Sequence, residues 1–125
     1  RARLQQLLSY LLEGSLRFPR LSKAQLHAAF SGEDYSGPFF RMFAPVLGQV
    51  RDLARSEVPG LSESVATRRT IATLSAVLFP ALFSGMFAPL AVLESPRQRR
   101  AYVDALVEQL LSEATPAAQR RKQRS

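Results

Sequence analysis

The sequence predicts an all-α fold, a bundle of about five helices, from three observations. Leu and Ala fill 19 and 17 of the 125 positions, against 8 Val, 4 Thr and 1 Ile. Residues that favour strands are therefore scarce beside those that favour helices. Apolar side chains recur every three or four positions, as on one face of a helix. Two capping boxes, Ser22 with Gln25 and Ser95-Pro96 with Gln98, mark places where helices open. The length suits one core, so residues 1–115 are read as a single domain and 116–125 as a basic tail.

The first helix carries Leu4, Leu7, Leu8, Leu11 and Leu12 on one face, and Gly14 is placed to end it. The Ser22 box opens a short second helix reaching about Ser31, followed by a turn-rich loop to Gly37. Pro38 suits the first position of a third helix. One arc of that helix holds Phe39, Phe40, Met42, Phe43, Val46, Leu47, Val50, Leu53 and Ala54. Arg41, Arg51, Asp52 and Arg55 lie opposite. Pro45 predicts a kink, and Pro59-Gly60 a terminating turn. The Ser95 box opens the last helix, which runs to about Glu113 with Tyr102, Val103, Leu106, Val107, Leu110 and Leu111 as its apolar set.

Between these lie 24 consecutive residues without a charge, Thr70 to Leu93, read as one long helix disturbed by Pro80. They are numerous enough to span a bilayer. Against a span stand Thr70, Thr73, Ser75 and Ser84, the breakers Pro80, Gly85 and Pro89, and amphipathic neighbours that need a protein core to lie on. A helix buried on all sides is the preferred reading. Its projection gives a leucine-type face (Ile71, Leu74, Leu78, Leu82) for the domain's own core. An aromatic face carries Phe79, Phe83, Met86, Phe87 and Leu90, and a small-residue face Thr73, Val77, Ala81, Ser84 and Ala88. Leaving about six to eight apolar side chains wet forfeits roughly 10–20 kcal/mol, against a net domain stability of about 5–15. The final helix has an equally wide apolar arc, so both ask for a second copy across a two-fold axis.

Chemistry is narrowed by exclusion. There is no Cys and one His, so thiolate zinc sites, disulfides and His-rich metal sites are out. No phosphate-cradling glycine loop, G-x-S-x-G or H-E-x-x-H occurs. Glu33 and Asp34 read as a solvated turn, and His27 as a core-edge or surface residue. No catalytic residue, metal or cofactor is assigned. Of the net charge of +7, four units sit on Arg120, Arg121, Lys122 and Arg124, while residues 1–115 hold 13 basic and 10 acidic groups. The tail reads as a solvated terminus that could touch phosphate or anionic lipid only through mass electrostatics. The run Leu7–Leu12 is too short for a signal peptide, and a cytoplasmic location is expected.

The aromatic set is the one feature suited to a small ligand. Plain core packing competes with a cavity lined by Phe39, Phe40, Phe43, Phe79, Phe83, Met86 and Phe87. Pro45 and Pro80 favour the cavity by bending the helices that bear these rings, and they free the carbonyls of Arg41 and Ala76.

Together these pieces resemble the C-terminal regulatory domain of TetR-type transcriptional repressors. The resemblance rests on Phe18-Pro19-Arg20-Leu21 before a short helix, the amphipathic Pro38–Arg55 helix and the uncharged helix bearing Phe79-Pro80. It continues through Tyr102-Val103-Asp104-Ala105-Leu106-Val107-Glu108-Gln109-Leu110-Leu111 and covers most of residues 4–114. It implies a homodimer whose last two helices form a four-helix bundle with the partner's, and an effector pocket among the preceding helices. The expected interface is Thr73, Val77, Ala81, Ser84, Tyr102, Leu106, Gln109 and Leu110. The family's helix-turn-helix has no counterpart in these residues, so DNA contact would run through a segment outside the chain. The alternative is a helical adaptor whose apolar face binds another protein.

Overall fold

A computed structural model describes residues 1–17, Arg20, Ala24, His27 and 38–112. Among them are five α-helices and no strand: α1 (Ala2–Arg17), α2 (Pro38–Glu57), α3 (Glu63–Leu82), the four-residue α4 (Ser84–Phe87) and α5 (Pro96–Leu110). The Ser22 capping box, the Ser31–Gly37 loop and the tail 116–125 lie outside the described residues.

Helix α1 forms because Leu4, Leu8 and Leu12, one turn apart, all reach the core. It does not stop at Gly14 but runs on to Arg17. A glycine inside a helix costs roughly 1 kcal/mol relative to Ala without obliging the chain to turn. Helix α2 begins on Pro38 as expected and continues through the exposed Pro45. It ends where Val58 N–H donates to the Ala54 carbonyl and Leu61 N–H to that of Val58. Gly60 takes φ +93° in this turn, a conformation that a side chain would strain.

Ser62 caps α3, its hydroxyl accepting from Val65 N–H at 3.2 Å, and Glu63 sits favourably at the positive end of the helix dipole. The single long helix expected through Leu93 is not found. It breaks at Phe83, and α4 is followed by a 3-10 turn, Ala88–Leu90, with Ala91 in the left-handed region at φ 53°. Pro89 and Gly85, noted in the sequence as breakers, fall within this broken part. No helix among the described residues is long and apolar enough to cross a membrane. The Ser95 capping box is complete: Ser95 Oγ accepts from Gln98 N–H at 3.1 Å, and Gln98 Oε1 accepts from Ser95 N–H at 3.0 Å.

Helices α1 and α3 pack together at the centre, and α2 and α5 each lie against both. The core joins Leu4, Leu8 and Leu12 to Val50 and Ala54 of α2, Leu74 and Val77 of α3, and Val103, Leu106, Val107 and Leu110 of α5. Polar contacts stitch α1 to α5. Arg99 Nε meets Glu13 Oε1 at 2.5 Å while its Nη1 donates to the Leu93 carbonyl, and Gln5 Nε2 donates to Asp104 Oδ1 at 3.0 Å. Exposed pairs of this kind contribute about 1 kcal/mol at most. Arg69 does more for the end of α5, donating to the carbonyls of Leu110 at 3.3 Å and Ser112 at 2.5 Å, where the helix leaves acceptors unpaired.

One core group is unsatisfied. Thr70 is fully buried and its Oγ1 has no hydrogen-bond partner among the described residues. A hydroxyl desolvated without compensation costs about 1–3 kcal/mol. Thr70→Val keeps the shape and removes that cost, so we expect it to raise the stability by about 1 kcal/mol in urea titrations. A loss of stability would show that the hydroxyl is satisfied after all.

Candidate functional site

The charge-free segment builds the site. Phe79 is the last residue before Pro80, and its ring centroid lies 4.7 Å from that of Phe83 and 5.6 Å, edge-on, from that of Phe87. These are favourable separations for aromatic pairs. Among the described side chains, Phe79 and Phe83 are exposed and Phe87 is half-buried. Ile71, Phe79, Phe83, Met86, Leu90 and Val92 are between 39% and 65% exposed. Apolar side chains clustered on this scale are the usual mark of a surface that binds something.

The hairpin of α2 and α3, joined by residues 58–62 only, runs antiparallel. It therefore brings the start of α2 and the end of α3 to the same end of the bundle. Phe43 is half-buried against the core. The side chains of Phe39 and Phe40 lie outside the described residues, although their backbone belongs to the first turn of α2. Of the seven expected pocket residues, then, Phe79, Phe83 and Phe87 are brought together, Met86 is exposed and Phe43 leans on the core. Two open grooves are lined by α1. One of about 690 Å³ runs between α1 and α2, and one of about 750 Å³ between α1 and α5, with the 77% exposed Tyr10 on the rim of both.

The small-residue face of α3, assigned to an interface, turns inward. Thr73, Val77 and Ala81, expected at an interface, are buried in the chain's own core, as are Leu106 and Leu110 of α5. Ile71, expected inside, is half exposed, and Leu74 alone of its face is fully buried among the described side chains. The physical reason is the position of α3 against three neighbours. Small side chains belong where helix backbones approach closely, and α1, α2 and α5 all lie against α3. Tyr102 is half-buried and Gln109 exposed, while the Ser84 side chain lies outside the described residues. The outward strip of α3 is instead Arg68, Ile71, Ala72, Ser75 and Phe79, and that of α5 includes Ala101, Ala105 and Gln109.

The carbonyls freed by the prolines have one resolved fate. Pro80 cannot donate to Ala76, and Tyr102 Oη donates to that carbonyl at 2.5 Å. Burial pushes the Tyr102 phenol above its ordinary range. Sequence reasoning identified the acceptor and missed its donor, because the pairing spans 26 residues and no local pattern marks it.

Comparison with family models, curated proteins and solved structures finds no match to this chain.

Proposed function

We propose that this chain is the effector-sensing and dimerisation domain of a TetR-like transcriptional regulator, binding a small apolar or aromatic ligand. The grouped rings of Phe79, Phe83 and the half-buried Phe87, with the exposed Met86 beside them in sequence, at one end of the α2–α3 hairpin, carry the reading. Rings spaced for stacking, with few polar groups among them, suit a ligand recognised by its apolar surface. A second copy would cover the outward strips of α3 and α5, where Ala72, Ser75, Ala101 and Ala105 allow close approach beside Ile71. In this reading the interface keeps Tyr102 and Gln109 from the sequence-based set and exchanges the rest. DNA would be read by a segment outside the chain, in the cytoplasm.

Sedimentation velocity and thermal shift test both halves. A dimer that persists on dilution, and stabilisation by uncharged aromatic compounds that Phe83→Ala removes, is the expected result. The openness of the aromatic face favours one other reading, a helical adaptor that docks another protein there. A monomer that no such compound stabilises would replace the sensor with the adaptor.

A further inference from the structure

We propose that the hydrogen bond from Tyr102 to the Ala76 carbonyl is a latch that opens when a ligand occupies the aromatic face, so that binding is felt in α5. This rests on the ligand-sensing reading above and adds how the signal leaves the site.

The starting point is a missing donor. Pro80 has no N–H, so α3 lacks one of its internal bonds at the turn between Ala76 and Pro80. That turn is the weakest of the helix, and it bears Phe79. Tyr102 of α5 supplies the missing donation, at 2.5 Å. A bond internal to one helix has thus become a bond between two, so a shift of α5 against α3 breaks it. Phe83 lies seven residues after Ala76, two turns on and on the same side. Phe79 contacts both Phe83 and Phe87, so a ligand wedged among the rings bears directly on the weakened turn.

The other end of α5 is held differently. Arg69, from a regular turn of α3, grips the carbonyls of Leu110 and Ser112. Arg99 ties the start of α5 to Glu13 of α1 and not to α3. Releasing Tyr102, near the middle of α5, therefore loosens its polar tie to α3 while Arg69 still holds the carboxyl end. The motion available is a pivot about the carboxyl end of α5.

The test uses the whole chain and the uncharged fluorescent probe 1-N-phenylnaphthylamine. With 3-fluorotyrosine incorporated, the Tyr102 fluorine resonance, identified by its loss in Tyr102→Phe, is expected to shift as the probe binds while that of Tyr10 stays. Tyr102→Phe removes the latch, so it should bind the probe about fivefold tighter or more. The gain should vanish in a Pro80→Ala background, where α3 regains its own N–H. Probe binding that depends on Phe83 but leaves the Tyr102 resonance unmoved, or leaves the two affinities equal, overturns the latch while the binding reading stands. No probe binding at all removes both.

Discussion

Val77→Asp is expected to abolish folding rather than dimerisation. Val77 is fully buried, in the core cluster that joins α1, α2, α3 and α5. A carboxylate there loses its hydration and meets no cation, a penalty of more than about 4 kcal/mol against a net stability of about 5–15. Circular dichroism and urea titration would show a chain largely unfolded in water or close to it. Ile71→Ser, on the same helix but facing out, should change stability by no more than about 0.5 kcal/mol in the single chain. The contrast separates the two assignments of the α3 faces. A folded, monomeric Val77→Asp would mean that the small-residue face is an interface and that α1 and α5 do not cover it.

Tyr102→Phe is expected to cost about 2 kcal/mol, because it leaves the Ala76 carbonyl without the donor that replaces the N–H absent from Pro80. In a Pro80→Ala background the same substitution should cost less than about 0.5 kcal/mol, since the helix then satisfies its own carbonyl. The two effects are thus strongly non-additive. Equal costs in both backgrounds would show that the tyrosine stabilises only by packing. The phenol also sets an alkaline limit. Its pKa is raised in the folded state from the ordinary value of 10.0. The contribution is therefore complete below pH 10 and lost as the pH climbs through the folded value, when the group can no longer donate. Tyr102→Phe should show a correspondingly smaller loss of stability as the pH rises above that ordinary value.

The helices were legible where the signals are local. The four-residue recurrence of leucines in α1, proline at the head of α2, and the paired serine and glutamine that open α5 all lie within a few residues of the structure they specify. The orientation of α3 was not legible. A segment apolar on every side gives no gradient of polarity, so its rotation depends on which neighbours lie against it, and that is a property of the assembled bundle. The break at Phe83 was hidden for a related reason. Pro80, Gly85 and Pro89 each signal disturbance, yet α3 passes through the first of them because Tyr102 makes good the lost bond. For the site, composition revealed the rings but not their exposure. Exposure depends on what the rest of the chain leaves uncovered.

The central position of α1 has a consequence for the newborn chain. Its leucines find their shelter on α3 and α5, and the contact of Gln5 with Asp104 joins positions 99 apart. A ribosome therefore releases the sticky α1 segment long before its full cover exists. The neighbouring pair α2 and α3 can close early as a local unit. The first helix must wait for the last, and the interval of synthesis between them is when this chain is most open to aggregation or to a chaperone's grip.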